Sequence, residues 1–189
     1  MWWHHEKVAL IQIDELGLLE GGLARVVGRA VSLGAELEAT HTGTKCLAVC
    51  STMEQHGSGM TGSRSGVMPR LDGPELVVRF AVDDGTGRVV VAPQAIKLEL
   101  ELKGVSDPRS GPGADPDAAP RFGASIINRE LRHLGASGDA SQLSLREGVL
   151  VAGNMVAIIG HVQKLDAGWE LVAAPGEPLI VSTHPDQLV

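Results

Sequence analysis

The stretch from Leu76 to Pro93, LVVRFAVDDGTGRVVVAP, constrains the fold more than any other part of the chain. Val78, Phe80 and Val82 alternate with Arg79 and Ala81, a period-two pattern that sends successive side chains to opposite faces of a strand. Asp83-Asp84-Gly85-Thr86-Gly87 interrupts the pattern, and Arg88 to Ala92 resumes as a β-branched run. An Asp-Gly step between two such runs predicts a hairpin, because Gly takes the positive φ that a tight turn requires.

The flanking sequence repeats the theme. Val8 to Ile13 reads as a strand and Asp14 to Glu20 as a turn. Gly21-Gly22 opens Leu23 to Val31, with Gly28 inside it where a bulge or bend would curl a sheet. Glu36 to Thr40, Lys45 to Ser51, and the apolar-charged alternation of Ile96 to Leu102 are further strands, the last with one wet face or at a sheet edge. Leu145 to Asn154 leads into Met155 to Gln163, Asp166-Ala167-Gly168 turns the chain into Trp169 to Val172, and Leu179 to Ser182 closes it. Ile126 to Leu134 has the apolar spacing of a short helix. Residues 57–66 read as a flexible loop, and 104–120 as a surface excursion without hydrophobic periodicity. Eight to ten short strands and one helix predict an all-β fold, a small OB-like barrel in a single domain over residues 1–189. At 189 residues with 24 glycines and no tyrosine, the composition suits that class.

Charge and aromatic content bound the partners. A net charge of −7 and an aromatic fraction of 3% argue against a nucleic-acid binder, which needs a basic face and stacking platforms. The two cysteines, Cys46 and Cys50, would lie about 13 Å apart on one strand, too far for a disulfide. A reducing, cytoplasmic setting is therefore expected. No signal peptide is recognisable, and no segment supplies the ~20 apolar residues of a membrane span.

His41-x4-Cys46-x3-Cys50-x5-His56 has zinc-ligand residue types, but an extended strand keeps the two sulfurs from converging, so buried cysteines and no metal are expected. Asp83 and Asp84 read as turn caps rather than an acid/base pair, and Gly85-Thr86-Gly87 as a turn rather than a phosphate cradle. His161 reads as a strand residue with its needs met, and Ser182-Thr183-His184 lacks a nucleophile elbow. Trp2, Trp3 and Trp169 read as packing, with a partner or membrane contact as the other role open to Trp2 and Trp3. No cofactor, metal or catalytic residue is assigned.

Three pieces line up with one family: the opening strand Gly22 to Val31, the hairpin F-A-V-D-D-G-T-G-R-V-V-V (Phe80 to Val91), and E-x-x-L-x-x-G-x-x-V-x-I-x-G-x-V (Glu147 to Val162) followed by Pro178 to Ser182. The arrangement resembles the beside-a-membrane, or GIDE-type, domain of mitochondrial-membrane ubiquitin ligases and their prokaryotic relatives. The resemblance implies an OB-like barrel tethered near a membrane. In the eukaryotic ligases a RING with Cys/His zinc ligands follows; these 189 residues hold no CxxC pair and no flanking span, so ligase activity is not expected of them and any membrane association would come through a partner. The expected function is a non-enzymatic interaction domain that binds a protein partner or ligand, or forms a homo-oligomer through an edge such as Ile96 to Leu102. The alternative is an OB-type binder of single-stranded nucleic acid or oligosaccharide. A hydrolase using an Asp/His site has no convergent motif.

Overall fold

The structure, a computed structural model, describes residues 8–55, 70–73, 75–105 and 143–188. The expected helix at 126–134, the expected flexible segment at 57–66 and all but the first two residues of the expected excursion at 104–120, along with Trp2, Trp3 and His56, lie outside the described residues; Gly104 ends a strand and Val105 N–H donates to Leu145 O. The described strands are β1 (Leu23–Ser32), β2 (Leu37–Glu38), β3 (Lys45–Cys46), β4 (Ala48–Gln55), β5 (Arg70–Asp72), β6 (Leu76–Val77) and β7 (Phe80–Asp83). They continue as β8 (Arg88–Val91), β9 (Ile96–Glu99), β10 (Leu102–Gly104), β11 (Leu143–Leu150), β12 (Met155–Leu165), β13 (Gly168–Val172) and β14 (Leu179–Ser182).

The chain divides into two compact units, one of residues 1–50, 75–101 and 148–189, the other of 51–74 and 102–147. In the first, hydrogen-bonded neighbours run β1-β7-β8-β13-β12, and β12 pairs back onto β1 to close a five-stranded barrel. All neighbours are antiparallel except β8 and β13, which are parallel. That strand order is the Greek-key order of an OB-type barrel. β12 is long enough to serve two neighbours along one edge, β14 through Ala157–Ile159 and β13 through His161–Leu165. β14 then pairs in parallel with β9, which ends the path. In the second unit the order is β10-β11-β4-β5, to which β4 contributes residues 51–55 and β11 residues 143–147.

The barrel closes because β1 changes partner along its length. Residues 23–29 pair with β12 and residues 29–32 with β7, so Arg29 has a neighbour on both sides. Two partners meeting at one point need close backbone approach, and Gly28 permits it: a Cβ there would lie 2.5 Å from the Asp83 carbonyl oxygen. The pairing passes through Gly28 in continuous register, so the expected bulge is absent and the glycine serves close strand contact instead. The core alternates as the period-two reading requires, with Ala24, Val26 and Ala30 from β1 and Val156, Ile158 and Val162 from β12 packed around Phe80, Val82, Val89, Val91 and Leu171.

Three local expectations are corrected. Residues 8–13 form no strand; Leu10 makes one bridge to Arg25, and Ile13–Leu19 is a 3-10 helix rather than a turn. The reason is visible in the spacing, since Ile13, Leu16 and Leu19 recur every third residue, the 3-10 period, and all three join the barrel core. The segment from Lys45 to Ser51 is broken at Leu47, which is fully buried, donates its N–H to Leu150 and accepts from Val78 N–H. Ile96 to Leu102 divides into β9 and β10, because Leu100 is buried between them and Glu101 N–H leaves the ladder for the Thr183 hydroxyl.

Candidate functional site

The turn between β7 and β8 is built by its own carboxylates. Asp83 accepts from Gly85 N–H at 3.0 Å and pairs with Arg88 Nε at 2.8 Å. Asp84 Oδ1 accepts from Thr86 N–H at 2.8 Å, from the Thr86 hydroxyl at 2.7 Å and from Gly87 N–H at 3.1 Å. Its Oδ2 accepts Ile13 N–H at 2.9 Å, tying the 3-10 helix to the hairpin across 71 positions of sequence. Gly85 sits at φ +90°, the left-handed conformation the Asp-Gly step predicted. Asp83 and Asp84 are turn caps, as expected.

These contacts set the ionisation of both residues. The Arg88 guanidinium and then the Gly85 N–H hold the Asp83 carboxyl below its ordinary value. Desolvation raises that of Asp84, but the hydrogen bonds from Ile13, Thr86 and Gly87 together outweigh it and leave the group lowered. A carboxylate depressed in the folded state stabilises the fold above its unfolded pKa, and that contribution is lost as the pH falls through the folded value. Stability is therefore expected to hold above a pH of about 4 and decline below it. In Asp84→Ala the acid limb of a stability-versus-pH curve should flatten. At neutral pH the same variant should lose about 2 kcal/mol, because Ile13 N–H keeps no acceptor beside a buried side chain. Urea titrations at several pH values measure both effects.

Beside this turn an open groove of about 650 Å³ runs along the outer face of β1. The residues of β1 that point away from the core, Val27, Arg29 and Val31, line it together with Asp83, Asp84 and Gly85. Ala152, Gly153 and Met155 complete it from the turn between β11 and β12. That turn is docked on β1 by two backbone bonds, Gly153 N–H to Ala30 O and Ala30 N–H to Asn154 O. Arg29 Nη1 donates to the Gly153 carbonyl at 3.1 Å, holding the guanidinium at the rim. Met155 is 43% exposed, a large apolar side chain open to solvent at the strand start. Valines and a flexible thioether, rimmed by one guanidinium and two carboxylates, offer a mainly apolar contact surface.

The remaining expected residues are dispersed. His161 Nε2 lies 2.6 Å from Glu177 Oε2, and Nδ1 lies 3.4 Å from the Gly21 carbonyl, so the ring pins a turn to the barrel. Ser182 Oγ accepts His184 N–H and Thr183 Oγ1 accepts Glu101 N–H, which makes that tripeptide a strand-end cap. Cys46 is buried on β3 and Cys50 half-buried on β4, and no disulfide joins them. No cluster of three or more His, Cys, Asp or Glu is placed to hold a metal among the described residues. Trp169 packs against the core and stands over Gly17, where an added Cβ would come within 3.2 Å of its ring. The sequence reading did not find the groove. Its one local signal was Met155, an apolar residue directly after the Gly153-Asn154 turn.

No family model matches the chain, and comparison with curated proteins and with solved structures gives no match. No helix among the described residues is long and apolar enough to cross a membrane.

Proposed function

We propose that this chain is a non-enzymatic interaction module of the beside-a-membrane, GIDE-type kind, acting through protein contacts on its OB-type barrel and positioned near a membrane by its partner. The observation that carries this reading is the groove on β1. It opens on the strand where the resemblance begins, and the hairpin that forms the heart of the resemblance supplies one of its walls. The chemistry-bearing residues around it are engaged in structure, Asp84 with four hydrogen bonds and Asp83 with an arginine, so the groove offers shape and apolar surface. Carboxylates on its rim and a net charge of −7 disfavour phosphate backbones.

The test is binding by the full-length chain with and without a charge in the groove. Met155→Asp places a carboxylate on an exposed position, so the fold should persist with a thermal midpoint within about 2 °C of the parent. A stoichiometric protein partner held by the parent should be lost by this variant, at least tenfold in affinity. Retention of every partner by Met155→Asp would defeat the groove as the contact. Salt-dependent binding of a single-stranded oligonucleotide would move the chain to the nucleic-acid class.

A further inference from the structure

β9 ends the seven-stranded path, and its chemistry specifies what can add to it. Leu179 N–H donates to Ala95 O and Thr183 N–H to Glu99 O, so the odd positions of β9 turn their backbone toward β14. Ile96 and Leu98 therefore turn theirs to the outer edge. Among the described residues one bond meets that edge, a long one of 3.3 Å from Leu98 N–H to the Glu75 carboxylate. A side-chain carboxylate on an edge N–H is a weak cover that a strand can replace.

The side chains choose the strand. Lys97 and Glu99 lie on the outer face, 54% and 30% exposed, with Nζ and Oε1 2.6 Å apart. Consider an antiparallel copy of β9 laid along the free edge, with outward backbone groups facing one another. With Leu98 opposite Leu98 of the second copy, Lys97 faces Glu99, Glu99 faces Lys97, and Ile96 faces Leu100. With the copy shifted so that position 97 faces itself, two lysines meet; shifted so that position 99 faces itself, two glutamates meet. Opposite charges directly across an antiparallel pair attract and like charges repel, so only the first register is favourable at every position. It also places the charged pairs at the non-hydrogen-bonded sites, where side chains approach most closely.

We propose that β9 is a homotypic interface: two copies of this chain pair through antiparallel β9 strands centred on Leu98, with reciprocal Lys97–Glu99 pairs across the two-fold axis. Leu98 N–H then donates to the Leu98 carbonyl of the second copy and Glu75 is released. The inference rests on the interaction-module reading only in taking the chain to work through contacts; its site is the edge and not the groove. A four-residue edge makes a small interface, so association is weak and concentration-dependent.

The test is a charge exchange in the full-length chain, followed by sedimentation or light scattering up to about 1 mM, where contacts of this size populate. The parent should show a monomer–dimer equilibrium. Lys97→Glu and Glu99→Lys should each weaken it on the order of thirtyfold, since two attractive pairs become repulsive. An equimolar mixture of the two variants should recover the dimer mass. There Lys97 of one variant faces Glu99 of the other, and the introduced lysine faces the introduced glutamate. Far-UV circular dichroism matching the parent confirms that both remain folded. A parent that stays monomeric, a dimer indifferent to either substitution, or variants that fail to recombine would each overturn the proposal. None of these results bears on the Met155→Asp assay, so the two readings fail separately.

Discussion

Gly28→Ala is expected to destabilise the protein by about 3 kcal/mol, although it adds a single methyl group. The added Cβ would sit 2.5 Å from the Asp83 carbonyl oxygen and 2.7 Å from Val82 Cγ1. The first of these atoms is backbone, in the strand that β1 must meet to close the barrel, so relief requires β1 and β7 to separate. Gly160→Ala offers a useful contrast. Its nearest neighbour would be Leu179 Cδ1, the far end of a side chain, with Val172 O at 3.2 Å. Rotation of Leu179 can absorb part of that conflict, and the cost should be smaller. Gly104→Ala, with nothing within 4 Å, should change stability by less than about 0.5 kcal/mol. Urea unfolding with a common slope ranks the three. Equal effects at Gly28 and Gly104 would mean that the close approach of β1 to β7 is wrong.

Phe80→Ala should cost about 3–5 kcal/mol, a large part of the roughly 5–15 kcal/mol stability of a typical domain. The chain has only two phenylalanines and no tyrosine, so its core is filled mainly by valine, leucine, isoleucine and alanine. Phe80 is the largest fully buried side chain among the described residues, on a barrel strand opposite Ser32 of β1 and Val91 of β8. Truncation leaves a cavity that short, β-branched neighbours on hydrogen-bonded strands cannot collapse to fill. Phe80→Leu retains most of the volume and should cost about 1 kcal/mol. Thermal unfolding of the two variants separates cavity formation from loss of the ring. A change in the depth or width of the β1 groove is not expected in either, since Phe80 points to the opposite side of the sheet from Val31 and Arg29.

The period-two alternation and the Asp-Gly step determined by themselves that Phe80 to Val91 is a hairpin, because both are local: side-chain direction follows from backbone geometry, and positive φ from the absence of a Cβ. The same reasoning placed the strands ending at Val172 and Ser182 and the capping roles of Asp83 and Asp84. What it misjudged was set by distant partners. Leu47 interrupts its strand because Leu150 and Val78 claim its backbone, and Ile13, Leu16 and Leu19 form a 3-10 helix because the barrel core accepts all three. The groove was out of reach for a related reason: Val27, Arg29, Asp84 and Met155 are separated by up to 128 positions and share a surface only once β12 has closed the barrel onto β1. Which strand ends the path among the described residues was decided in the same way. The alternation of Ile96 to Leu102 marks a strand with one charged face, but that it ends the sheet path among the described residues, with β14 as its parallel neighbour, is a property of the tertiary fold. Alternation is written residue by residue, whereas neighbours in a sheet are chosen by closure of the whole barrel.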